Sequence, residues 1–167
     1  MQVREAIEDE WEAVGDLTVA GYDANGYLTY PDGTFDDGYA GWLRDAASRG
    51  CNSVLLVAVD GDDLLGTVSW CPPGSPDRQV STSDAQGEFR TLSVAADARG
   101  RGVGRALVTD CFDRARSAGL TEMVLCSLPD MKPAHQLYET FGFTRRPESD
   151  WSPEPGVTLW VFAAPVT

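Results

Sequence analysis

At 167 residues the chain has the usual length of one domain, and its 43% hydrophobic and 23% charged residues suit a buried core rather than a disordered or fibrous polymer. No apolar run approaches the roughly 20 residues of a membrane helix, and the opening Met1-Gln2-Val3-Arg4-Glu5 lacks the apolar centre of a secretory signal, so a cytoplasmic protein with no membrane partner is expected. A net charge of −13 repels phosphate backbones and argues against nucleic acid, while one histidine and four scattered cysteines offer no zinc-ligand spacing and no metal is expected.

Residues 2–6 read as a short strand and 8–20 as a helix with an acidic first turn, which the helix dipole favours. The stretch GYDANGYLTYPDGTFDDG, 21–38, is crowded with Gly, Asp and Tyr and reads as a long loop. Trp42, Leu43, Ala46 and Ala47 have the spacing of a helix face, which predicts a helix over 39–49 closed by Gly50. Next, SVLLVAVDGDDLLGTVSWC is a β-hairpin turning through Asp60-Gly61-Asp62, and Pro72 ends it. Residues 73–85 are a polar loop. A strand over 87–94, a helix over 102–118 closed by Gly119, a buried strand over 121–128 and a helix over 132–141 follow. Two edge-like strands around 143–146 and 157–163 complete the chain. With no repeat and no linker, 1–167 reads as a single domain. The element order predicts an α/β (α+β) fold, a mixed sheet with helices on both faces rather than a plain Rossmann alternation.

The sharpest local signal is Arg99-Gly100-Arg101-Gly102-Val103-Gly104, set between a strand and a helix. There the unpaired amides of a helix start and the positive end of its dipole converge, so the point binds anions. Glycine permits close approach and unusual φ, and arginine adds charge-assisted donors. From Glu88 to Arg116 six arginines face four acids, a local +2 in a chain of net −13. Two familiar phosphate motifs fail on spacing. GxGxxG would need glycine further on, and the P-loop needs Gly-Lys-Ser/Thr.

Leu92-Ser93-Val94 followed by this arginine-glycine turn, and later Ala134-His135-Gln136-Leu137-Tyr138-Glu139-Thr140-Phe141-Gly142-Phe143, resemble the two signatures of the GNAT superfamily, in the right order and with a strand between them. The resemblance is weak before Gln86. It implies a mostly antiparallel central sheet of about six to seven strands with a cleft where the fourth and fifth splay apart. It further implies a coenzyme A site, in which Leu92, Ser93 and Val94 pair with the pantetheine arm. Arg99, Gly100, Arg101, Gly102, Val103, Gly104 and Arg105 then hold the pyrophosphate. Relatives often carry Asn where this chain has Met131, which puts that one cofactor contact in doubt.

By the same resemblance Tyr138 is the acid that protonates the coenzyme A sulfur; the plainer reading is a half-buried tyrosine packed beside Leu137. Glu88 occupies the place of an acid that draws the amine's proton, often through water. By simple alternation it shares a face with Arg90, Leu92 and Val94, with Phe89, Thr91 and Ser93 on the other, so a Glu88–Arg90 ion pair is an equal reading. The backbone near Leu92 or Val94 can stabilise an oxyanion. Cys126 reads as a buried inert thiol more readily than as an acyl carrier, and His135 as a surface or capping residue. Tyr22, Tyr27 and Tyr30 with Asp23, Asp32, Asp36 and Asp37 suit an ammonium acceptor, though a solvated acidic loop explains them equally. Trp151 is either a further wall of that site or part of a Pro-fixed loop. The function expected is acetyl transfer from acetyl-CoA to a primary amine of a small molecule or peptide by direct attack in a ternary complex. The alternatives are a coenzyme A-binding module without turnover and transfer of a longer acyl group. Acceptor identity and oligomeric state, a homodimer included, stay open.

Overall fold

The computed structural model describes residues 1–167. In chain order it contains β1 (Gln2–Glu5), α1 (Trp11–Ala24), α2 (Asp37–Arg44), α3 (Ala46–Asn52), β2 (Val54–Asp60), β3 (Asp63–Cys71), β4 (Gln86–Val94), α4 (Val103–Ser117), β5 (Glu122–Ser127), α5 (Lys132–Glu139), β6 (Thr144–Arg145), β7 (Trp151–Glu154) and β8 (Val157–Pro165). Short 3-10 turns lie at Glu8–Glu10, Ala96–Ala98 and Pro147–Ser149.

The strand order is β1-β2-β3-β4-β5-β8-β6, with β7 on β8. Pairing is antiparallel for β1 with β2, β2 with β3, and β8 with β5, β6 and β7, and parallel for β4 with β5. That makes eight strands rather than the expected six to seven. The parallel ladder joins Gln86, Gly87 and Glu88 to Glu122, Met123 and Val124 and ends there, although β4 runs on to Val94.

Local chemistry explains where expected boundaries move. The helix expected from residue 8 begins as a 3-10 turn, because Glu10 folds back to accept from the Ile7 amide at 2.9 Å and to grip Arg4 with both oxygens at 2.6 and 2.8 Å. The single helix expected over 39–49 is two. Asp36 caps α2 through the Tyr39 amide at 2.9 Å, and Asp45, at ψ 69°, breaks the helix and caps α3 through the Ser48 amide at 3.0 Å. Gly50 therefore sits inside α3 instead of closing it, and a Cβ there would stand 3.1 Å from the Trp11 ring. Trp151 lies in a strand rather than a loop. It opens β7 and pairs with Leu159.

By its internal contacts the chain divides into two compact units, Met1–Trp70 with Thr91–Asp110, and Cys71–Arg90 with Cys111–Thr167. The first has two aliphatic clusters, one of Val14, Ala46, Leu55, Val57 and Val59 and one of Val19, Leu28, Ala40 and Leu43. The second is built on rings: Phe89, Tyr138 and Phe143 meet edge-on within 6.0 Å, and Phe112 stacks on Phe141 at 5.5 Å. Each such pair adds about 0.5 to 1.5 kcal/mol to plain burial.

Candidate active site

In the first unit, the Ala96–Ala98 turn hands the chain to Gly100 and Gly102, at φ 75° and 81°. An L side chain rarely adopts that left-handed conformation, so glycine is required by backbone shape. A Cβ built on either would meet no atom within 4 Å. At those two positions the turn is open. Arg99, Arg101 and Arg105 are exposed around it, and Arg101 reaches Asp60 at 3.4 Å in a surface pair worth little. Val103, 1% exposed, anchors the first turn of α4, whose Ala106 amide donates to Gly102 O at 3.0 Å. Gly66 of β3 sets that position. A Cβ on Gly66 would lie 2.7 Å from Val103 Cγ1 and 2.9 Å from Ser93 O, so only glycine lets α4 settle so close.

Strand β4 does not alternate simply. Phe89 packs on Tyr138 and Phe143, whereas the Thr91 hydroxyl bonds to Ser69 Oγ at 2.8 Å and accepts from Arg49 at 3.3 Å, and Ser93 Oγ donates to Leu17 O at 3.3 Å. Thr91 is the one non-glycine residue with positive φ, 57°. A left-handed residue inside a strand shifts the side-chain alternation by one, so Thr91 and Ser93 do not share Phe89's face as alternation predicts. A β-branched residue at positive φ costs on the order of 1 to 3 kcal/mol and must be held by its surroundings. Arg49 does the holding. It is 1% exposed and donates to Ser69 Oγ, Thr91 Oγ1, Thr18 Oγ1 and Leu43 O, with its guanidinium 5.9 Å from the Trp42 ring centre.

Of the expected acceptor residues, the first unit brings Tyr22 and Tyr27 edge to face at 6.1 Å and turns Tyr30 to donate to Asp36 at 2.9 Å. Tyr39, 6.1 Å from Tyr22 and stacked on Trp42 at 5.8 Å, extends the cluster.

In the second unit, Glu88 is fully buried and accepts from the amides of Gln79, Val80 and Ser81 and from the Ser81 hydroxyl, at 2.9 to 3.1 Å. Arg90 donates to Asp77 O at 3.0 Å. Tyr138 is 6% exposed, more buried than a half-buried tyrosine beside Leu137, with its ring boxed by Phe89, Phe143, Phe162 and His135. His135 is not a surface residue. Its ring lies 4.8 Å from Phe162 and 5.9 Å from Trp160, its Nε2 is 3.0 Å from Ser127 Oγ, and burial lowers its pKa from the ordinary 6.5. Cys126 is half-buried, donates to Gln79 Oε1 at 3.4 Å and has its thiol pushed up to about 11, chiefly by desolvation, which leaves it inert near neutrality. Met131 precedes α5 without making a side-chain cap, and its sulfur accepts from Ser127 Oγ at 3.3 Å. No group of three or more His, Cys, Asp or Glu side chains is arranged to hold a metal ion, and no helix is long and apolar enough to cross a membrane.

The family model described as the acetyltransferase (GNAT) family matches residues 7–143. The chain belongs to the GNAT acetyltransferase family. This GNAT chain is 39% identical over 106 residues to a mycothiol acetyltransferase of Geodermatophilus obscurus, a match covering 62% of this chain and 32% of that protein. It spans less than half the length of the curated relatives it matches. Among solved structures it resembles a GCN5-related N-acetyltransferase from Kribbella flavida, 28% identical with TM-score 0.68 over 98% of this chain and 96% of that one. The yncA protein of Salmonella typhimurium, solved with its cofactor acetyl-CoA, shares the fold at 18% identity and TM-score 0.67, over 100% of this chain and 94% of that one. Motif reading found the GNAT turn but missed Gly66 and Arg49. Neither belongs to a motif; Gly66 sits mid-strand, where glycine signals a close approach, and Arg49 shows its burial only once three distant hydroxyls surround it.

Proposed function

We propose that the chain, acting over 1–167 as one domain, is an acetyl-CoA-dependent N-acetyltransferase that passes acetyl directly to a primary amine of a small molecule or peptide. The observation that carries this reading is the open glycine turn. Gly100 and Gly102 are left-handed with free space where side chains would stand, directly ahead of the 15-residue helix α4 and amid three exposed arginines. A diphosphate fits that chemistry, because its oxygens accept from helix-start amides and pair with guanidinium groups. Leu92, Ser93 and Val94 then offer backbone to a pantetheine arm, a role supported by the early end of the β4–β5 ladder at Glu88.

When bound, acetyl-CoA supplies an activated thioester. In the transfer a C–N bond forms, the C–S bond breaks, and the departing sulfur needs a proton. Tyr138 is the group we assign to hold that proton, since a phenol is a competent general acid and the ring box fixes its direction. Tyr22 and Tyr27, joined by Tyr39 and Trp42, offer aromatic faces to an ammonium acceptor, and the exposed Asp23, Asp32 and Asp37 favour a cation. Calorimetry with coenzyme A, followed by free-thiol release across a panel of amines, tests the reading. Absence of coenzyme A binding ends it; binding without thiol release from any acceptor reduces the chain to a binding module.

A further inference from the structure

We propose that Glu88 serves the reaction as a positioning residue that holds the strap 77–83 against β4, and is not the group that takes the amine's proton. The proposal rests on the acetyltransferase reading.

Both carboxylate oxygens accept from the strap. Oε1 accepts from the Gln79 amide at 2.9 Å, and Oε2 from the Val80 amide at 3.1 Å, the Ser81 amide at 3.0 Å and the Ser81 hydroxyl at 2.9 Å. Three successive backbone N–H groups therefore converge on one side chain, itself 0% exposed. A backbone N–H can only donate. To take a proton, Oε2 with its three donors would have to release one of them into a buried site, at the full cost of an unmade hydrogen bond, while Oε1, which keeps a second lone pair, is shut off from substrate by full burial. A general base needs the reverse, a free lone pair within reach of the amine or of one water.

The strap depends on such bonds. Its residues are polar apart from the half-buried Val80, so it has no apolar face with which to pack. Gln86, Glu88 and Arg90, alternate residues of β4, each take a different part of it. Gln86 Oε1 accepts from the Thr82 and Ser83 amides at 2.7 and 3.2 Å, Glu88 takes residues 79–81, and Arg90 donates to Asp77 O at 3.0 Å. Cys126 of β5 adds a fourth tie through Gln79 Oε1. The charged and titratable groups facing Glu88 are Arg90 on its own strand, Asp77 on the strap, Cys71 at the end of β3 and Cys126; burial pushes the two thiols up to about 12 and about 11.

The test compares the full chain with its Glu88→Gln variant by trypsin cleavage at Arg78, inside the strap, and by the pH dependence of kcat. In Glu88→Gln a donor amide replaces one acceptor, and cleavage at Arg78 rises about tenfold, while kcat falls by less than the roughly 100-fold minimum of a lost general base and the profile keeps its acid limb. Unchanged cleavage, or loss of the acid limb, overturns the proposal. Ser81→Ala keeps the carboxylate and removes one donor. Should Glu88→Gln fail to fold, cleavage in Ser81→Ala equal to that of the parent chain overturns the proposal, and faster cleavage upholds it. The protease comparison needs no acetyl transfer, so a chain that releases no thiol refutes the acetyltransferase reading and leaves the anchoring of the strap to be judged by cleavage.

Discussion

At the scale of single residues, Gly102 and Tyr138 separate the proposed cofactor binding from the proposed proton transfer. Gly102→Val meets no steric block, since nothing lies within 4 Å of its Cβ, but φ 81° is closed to a β-branched residue. The turn must rearrange, and coenzyme A affinity is expected to fall at least about tenfold in calorimetry, on the order of the 1 to 3 kcal/mol stored in one strained residue. Equal affinity would remove the diphosphate from this turn. Tyr138→Phe leaves the contacts with Phe89, Phe143 and Phe162 in place and deletes only the hydroxyl. Its kcat is expected to drop about 100-fold with coenzyme A affinity nearly unchanged, the pattern of a lost proton donor. A parental rate would make Tyr138 a packing residue. Both residues were legible as motif members, because glycine at a strand-to-helix turn and tyrosine in the second signature are local features. Arg49 was not, since its four partners lie on α1, β3, β4 and at Leu43.

Among elements, the seating of α4 on β3 decides where the turn points. Gly66→Ala would drive a methyl within 2.7 Å of Val103 Cγ1 and 2.9 Å of the Ser93 carbonyl, and the carbonyl cannot rotate away as a side chain can. The helix must lift, so the thermal midpoint is expected to fall and coenzyme A affinity with it, although residue 66 lies outside the glycine motif. A variant with lower stability but intact affinity would show that the turn is set independently of β3. Strand and helix positions were mostly readable from periodicity and glycine punctuation. The failures share a cause. The break between α2 and α3 comes from an aspartate that caps one helix by ending another, β7 comes from pairing with β8, and the shift in β4 comes from a left-handed threonine held by distant hydroxyls. Hydrophobic spacing records none of these, because each depends on a partner remote in sequence or on the φ of one residue.

Acid stability belongs to the chain as a whole. His135 has a folded pKa below 6.5, first through burial, so the folded state binds a proton less readily than the unfolded one; its contribution is complete above the imidazole range and is lost as pH falls through it. Glu122 and Asp150 are lowered by hydrogen bonds from Arg146 and Arg145, with both oxygens of each carboxylate engaged at 2.6 to 3.1 Å, and lose their contribution only further down, below the ordinary 4.5 of Glu and 3.8 of Asp. A two-stage fall in thermal midpoint is expected from pH 7 to about 2. His135→Gln, neutral at every pH, should flatten the first stage and leave the second, and relief of self-repulsion in a chain of net −13 cancels in that comparison. An unchanged first stage would clear His135. Composition, the two signatures and the glycine turn were enough to determine the family and the class of fold, because motif residues and glycine punctuation are written into consecutive residues. Only the tertiary structure decided that Glu88 is spent on a strap, that His135 is buried and that Arg49 holds a strained strand, because burial and hydrogen-bond saturation come from chain segments brought together by folding, and no stretch of sequence contains its own surroundings.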